Sequence, residues 1–199
     1  LPVVLMNPAV AVEGLAAVGV DNHGGAMAMV RHLLEAGHRR IAFIAGPEDN
    51  FDAAERLRGY REAMAQGAPD VAPRVLPGDF GEASGHRAGK ALLEGGTLPD
   101  AVFAANDMMA LGCLFALGEG GLRVPGDLAL AGFDDVPLSR YVHPPLTTMR
   151  VEIAELGALA IRRLLEAGTE ETGGGDVGPR LLRPRLVVRA SCGAVPDTG

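Results

Sequence analysis

The sequence predicts an α/β domain: a mostly parallel sheet with helices on both faces. Three observations carry this. Short apolar runs of strand length alternate with longer segments whose apolar residues recur at helical spacing. Two of the runs, Ile41–Ala45 and Leu128–Phe133, are apolar throughout, as strands covered on both sides are. With 199 residues, 48% of them apolar, the chain can bury a core as one domain or as two small lobes.

Val3 to Met6 reads as a short buried strand. After Asp21, the residues Ala26, Met29, Val30, Leu33 and Leu34 fall on one helical face, and Gly37 closes that helix. "RRIAFIAG" (39–46) is a strand, and Leu57, Tyr60 and Met64 mark the next helix. "RVLPGDF" (74–80) is a weaker strand that Pro77 confines to an edge or a strand end. Residues 82–94 read as a helix, "DAVFAA" (100–105) as a strand, and Leu111, Leu114 and Leu117 as a helix stripe. "DLALAGF" (127–133) is a strand and Leu146 to Arg150 a further strand-like piece. Ile153, Leu156, Gly157, Ala160, Ile161 and Leu164 give a helix, "GTEETGGGDVGP" (168–179) a glycine-rich surface connection, and "RLVVRAS" (185–191) the last strand.

Composition narrows the function. No apolar run reaches the 18 residues a membrane span needs, and Leu1 is not followed by the basic-then-apolar pattern of a signal peptide; a cytoplasmic location is expected. Cys113 and Cys192 lie far apart and outside any CxxC pair, so reduced thiols are expected and zinc ribbons are not. A net charge of −7 makes this segment, by itself, repel nucleic acid. "GHRAGK" (85–90) is one residue short of a phosphate-binding loop and lies in a helical pattern, and no GxSxG or HExxH occurs. His32 and His38 are expected on different faces, and they, His23, His86 and His143 read as structural or surface residues. No catalysis, metal or cofactor is expected.

A parallel sheet binds ligands outside the carboxyl ends of its strands. The residues that follow the strands are therefore the candidates: Asn7, the stretch Asn50 to Arg56, Phe80, Asn106 with Asp107, and Asp134 with Asp135. Each has an ordinary structural reading as well. Aspartates end strands by accepting backbone hydrogen bonds, Asn106 can cap a helix, Arg56 can be a solvated arginine, and Phe80 can be core. Together they offer a carboxylate acceptor, a planar fork of donors, an amide and a stacking face for a hydroxylated ligand, without an activated nucleophile. A phosphatase-like or receiver-like use of Asp134 and Asp135 would want further acids at neighbouring strand ends. Magnesium binding or turnover would mark it.

The strings "VGVDNHGGAMAMVRHLLEAGHRRIAFIAGP" (18–47), "RLRGYREAM" (56–64), "PDAVFAANDMMALG" (99–112), "VPGDLALAGFDDVP" (124–137) and "PPLTTMR" (144–150) occur in one order. Together they resemble the effector-binding core of the lac repressor/galactose repressor (LacI/GalR) family of bacterial transcription regulators. The resemblance implies a type I periplasmic-binding-protein-like fold, with two subdomains around a cleft and an incomplete N-terminal one. It implies that residues 1–20 end the N-terminal subdomain and 21–147 form the C-terminal one. Residues 148–168 would be a crossover and a returning helix, 169–183 a connection, 184–191 a crossover strand and 192–199 a tail.

By the same resemblance Asp134 accepts hydrogen bonds from an effector, Arg56 grips hydroxyls or stabilises the pocket, Asn106 is a polar contact and Phe80 stacks. Asn7, Asn50 and Asp52 are further contacts. Leu111 and Val142 would lie near a two-fold interface. The expected function is sensing a small-molecule effector, a sugar or other metabolite, in a homodimeric regulator. Effector bridging the lobes would shift their closure and change operator affinity. Operator DNA would be held by an N-terminal helix-turn-helix that these residues do not contain. The alternative is the sugar-binding protein of an ABC-type transporter, which shares the fold.

Overall fold

The computed structural model describes residues 2–10, 12–169 and 178–193. The chain starts in a smaller unit with β1 (Val4–Met6) and β2 (Ala16–Val20). It then builds a larger unit from α1 (Asn22–Glu35), β3 (Ile41–Ile44), α2 (Phe51–Gly67), β4 (Arg74–Leu76), α3 (Glu82–Glu94) and β5 (Ala101–Ala104). The same unit continues with α4 (Asp107–Glu119), β6 (Ala129–Asp134), a 3₁₀ turn (Pro137–Arg140) and β7 (Thr147–Arg150). After Arg150 the chain returns to the smaller unit for α5 (Ile153–Thr169) and β8 (Pro179–Leu182). It ends in the larger one with β9 (Arg185–Val187) and a second 3₁₀ turn (Ala190–Cys192).

The larger unit's sheet runs β4-β3-β5-β6-β7-β9, parallel except for β9, which is antiparallel to β7. Every residue of β3 and β5 is buried, as are the first five of β6, and such strands need cover on both faces. β4 lies at the edge, where Pro77 can leave a ladder donor missing. In the core, Phe43 stacks on Tyr60 with ring centroids 4.9 Å apart and meets Phe103 edge-on. The buried Tyr60 hydroxyl donates to the Ile41 carbonyl at 2.8 Å, and burial pushes its pKa up to about 12.

α1 packs on α2 and α3 on α4. The second pair is closely spaced because glycines face backbone: a Cβ at Gly85 would strike the Met109 carbonyl oxygen, and one at Gly112 the Glu82 carbonyl oxygen. The helix stripe of α4 differs from the expected one. Its buried face is Met109, Cys113, Ala116 and Leu117, while Leu111 and Leu114 are half-exposed, because the helix turns its small residues to its neighbours.

His32 and His38 also converge, against expectation. The His32 ring lies 3.4 Å from Cys192 Sγ and the His38 ring 2.8 Å from the Cys192 carbonyl oxygen. The chain leaves α1 through a turn at Gly37, which brings His38 back beside the helix. Both cysteines are free and buried.

The smaller unit is a parallel three-stranded sheet, β1-β2-β8, with α5 packed on β1 and β2. β2 went unread in the sequence, and β8 falls where only a connection was expected. The rest of that glycine-rich stretch, 170–177, lies outside the described residues. The piece expected to straddle a boundary at 147/148, β7, lies wholly in the larger unit's sheet, and the final strand is shorter than expected.

Candidate functional site

Because β3 to β6 are parallel and in register, their carboxyl ends open onto one edge of the larger unit. Arg56 sits in the second turn of α2, a helix begun by Asn50, whose side-chain oxygen accepts from the Ala53 N–H at 2.9 Å. The arginine is 7% exposed. Its Nε donates to Asn22 Oδ1 at 2.8 Å and Nη1 to the Ala105 carbonyl at 2.6 Å, while Nη2 lies 3.2 Å from Asp134 Oδ1. The guanidinium stacks 3.9 Å above the Phe133 ring and reaches 5.9 Å from the Phe80 ring. One planar fork thus ties together the ends of α1, β5 and β6.

Asn106 caps α4, its oxygen accepting from the Met109 N–H at 3.0 Å, and its amide nitrogen donates to the Phe80 carbonyl at 2.9 Å. That bond and a left-handed backbone (φ 69°) fix Phe80 with its ring laid against Gly46, where a Cβ would overlap the ring. Asp134 closes β6 at φ 106° and Asp135 follows at φ 56°. Among the described residues, three of the four non-glycine residues in that costly region are Phe80, Asp134 and Asp135, a clustering typical of ligand sites.

The electrostatics follow from burial. Desolvation pushes the Arg56 pKa down, opposed by Asp134 and Asp52. Desolvation raises the Asp134 carboxyl, with Arg56 opposing and Asp52 adding repulsion. Asp52 is likewise raised by burial and steadied by Arg56. Asp134 keeps a side chain 35% exposed, so its carboxylate is both held and open to a ligand.

The structure therefore brings Arg56, Phe80, Asn106 and Asp134 together and puts Asp52 within their field. Asn50 is exposed, with its oxygen in the α2 cap. Asn7 belongs to the smaller unit, where its side-chain oxygen accepts from the Val20 N–H at 3.1 Å.

Four residues went unnoticed: Asn22 and Phe133, which hold Arg56, and Arg150 and Arg189, which hold Asp135. Asn22 could have been found had β2 been read, since it lies two residues beyond that strand. Asp107, the neighbour of Asn106, has no open face: it is fully buried and accepts from the Val136 N–H and from the Ser139 and Thr148 hydroxyls. Burial still pushes its pKa up to about 6. Among the described residues no group of three or more His, Cys, Asp or Glu side chains could hold a metal ion.

A family model for the periplasmic binding protein-like domain matches residues 30–192. The chain is 42% identical over 180 residues to the transcriptional regulator CelR of Thermobifida fusca, covering 90% of this chain and 52% of that protein. It is 39% identical over 177 residues to the transcriptional repressor PurR of Haemophilus influenzae (86% and 52%), and 37% over 196 residues to the repressor CytR of Escherichia coli (98% and 57%). Among solved structures, a lac repressor dimer bound to operator and an anti-inducer superposes with a TM-score of 0.87 at 30% identity, over 96% of this chain and 57% of that one. A CelR–cellobiose complex gives 0.80 at 39% identity, over 90% and 54%. The chain spans about half the length of the curated relatives it matches. These relatives carry the names of transcription regulators, and the chain belongs to the periplasmic binding protein-like domain family, whose model covers most of its length.

Proposed function

We propose that this chain senses a neutral, hydroxyl-rich effector such as a sugar, within a cytoplasmic, homodimeric transcription regulator that binds operator DNA through a helix-turn-helix outside these residues. The observation that carries the reading is Arg56, buried where four strand-end residues meet and paired with a carboxylate that keeps one open side. Asp134 accepts from effector hydroxyls, Arg56 orients that carboxylate, Phe80 offers a ring face to the apolar side of a sugar, and Asn106 holds Phe80 while contributing a polar edge. Asp52 and Asn50 are further contacts of the same pocket, and Asn7 is a candidate contact carried by the smaller unit.

An effector that prefers one conformation shifts the population and alters operator affinity, by a coupling typically of ~1–3 kcal/mol. The homodimer reading draws support from an apolar depression of about 690 Å³ beside α4, lined by Leu111, Leu114, Phe115, Leu138, Val142 and Pro144. Phe115, 65% exposed at the rim of this depression, suits a partner surface of this kind.

The test is a thermal-shift screen of the intact protein against neutral sugars, including cellobiose, and against nucleosides. At least one sugar raises the melting temperature, and Asp134→Ala removes that shift while keeping the far-ultraviolet circular dichroism spectrum. An undiminished shift in the variant sinks the pocket.

A further inference from the structure

Adjacent acids, Asp134 and Asp135, send their carboxylates in different directions, and we propose that Asp135 is a positioning residue that transmits the state of the Asp134 carboxylate to the two points where the chain leaves and re-enters the larger unit. The inference deepens the proposed function, taking from it that Asp134 meets the effector.

The two side chains live in different surroundings. Asp134 is 35% exposed beside Arg56, whereas the Asp135 side chain is 1% exposed. Asp135 Oδ2 accepts from Arg150 Nε at 2.6 Å and Oδ1 from Arg189 Nη2 at 2.5 Å. Arg150 is the last residue of the larger unit before the chain leaves it, and it pairs in register with Arg185, the first residue after the return. Arg189 is anchored in turn: its Nη1 donates to the Leu146 carbonyl at 2.7 Å, and its backbone N–H and C=O bond the Thr147 hydroxyl at 2.9 and 3.0 Å. One buried carboxylate thus clamps β7 and the segment after β9 into a single body.

The link to the pocket is one peptide long. Asp134 lies opposite Arg150 in the β6–β7 ladder, and both acids have left-handed backbones. Such conformations leave few neighbouring states to relax into. A change in where Asp134 points therefore turns the Asp135 peptide, and the buried pairs carry the turn into Arg150 and Arg189. With asparagine at 135 the shape is kept, but the amide offers one acceptor and one donor to two guanidinium donors, so one arm of the clamp is lost and the linkage is broken at that arm.

A double-mutant cycle on the intact protein tests this without any effector, so its outcome is independent of the sugar screen. Hydrogen–deuterium exchange is followed at residues 147–151 and 185–189, with β3 and β5 as internal controls. The expected result is that Asp134→Asn changes exchange at both crossings by about five-fold in the parent protein and by less than about two-fold when Asp135→Asn is present, the non-additivity of coupled neighbours. Equal changes in both backgrounds overturn the proposal, since a purely stabilising Asp135 would alter protection without altering its dependence on Asp134. So does a uniform rise that includes β3 and β5. Should Asp135→Asn fail to fold, Arg150→Gln removes only the more exposed arm of the clamp and completes the same cycle with the same criteria.

Discussion

Replacing Arg56 with lysine keeps a positive charge and removes the planar fork, which isolates what the fork does. A lysine ammonium can follow one of the three contacts, so two of the acceptors Asn22 Oδ1, the Ala105 carbonyl and Asp134 Oδ1 lose the hydrogen bond they take from the Arg56 cation. Each hydrogen bond to a charged group is worth about 1.5–3 kcal/mol. Loss of the stacking on Phe133 adds ~0.5–1 kcal/mol. The partial exposure of Asp134 lets water recover some of its share, so the net is about 3 kcal/mol, a large fraction of the ~5–15 kcal/mol that holds a domain together. With a urea m-value of about 2 kcal/mol/M, the midpoint of the larger unit's unfolding falls by about 1.5 M, followed by circular dichroism. A fall under about 0.5 M with an unchanged m-value would mean that Arg56 behaves as a solvated surface residue, and the convergence of the four strand ends on it would be refuted.

The packing of α3 on α4 predicts that Gly112→Ala, which looks favourable for a helix, destabilises by roughly 1–3 kcal/mol or more because the new methyl meets the Glu82 carbonyl; a gain in melting temperature would contradict it. The pH dependence follows from Asp107. Its folded pKa of about 6 lies above the ordinary 3.8, so the folded state binds the proton more tightly, and its contribution to stability falls as pH rises from about 4 to 6. The whole interval is worth at most ~3 kcal/mol. The stability difference between the parent and Asp107→Asn, measured by urea titration at several pH values, should narrow over that window; a constant difference would mean that the three hydrogen bonds to Asp107 outweigh its burial.

Much of the larger unit could be read from periodicity because its strands are apolar throughout and its helices alternate with them regularly. The convergence of Arg56, Phe80, Asn106 and Asp134 needed only the rule that parallel strands finish at one edge. The misses have physical reasons. β2, "AAVGV", carries small residues that leave no distinctive pattern, and β8 opens with a proline, is mostly exposed, and pairs with a strand some 160 residues earlier. The division of labour between Asp134 and Asp135 was equally hidden: two identical side chains in sequence diverge only once the backbone dihedrals and the distant Arg189 are known. His32 and His38 are structural, as expected, but their convergence was hidden for the same reason, since their shared neighbour, Cys192, comes from the far end of the described chain.

The return of β9 to the edge of a sheet begun more than a hundred residues earlier also sets an order of events during synthesis. A growing polypeptide displays β7 with one flank open, and Asp135 with only one of its two cationic neighbours, until α5, β8 and Arg189 have all emerged from the ribosome. That flank stops being available to a neighbouring nascent strand once β9 has emerged and paired with β7.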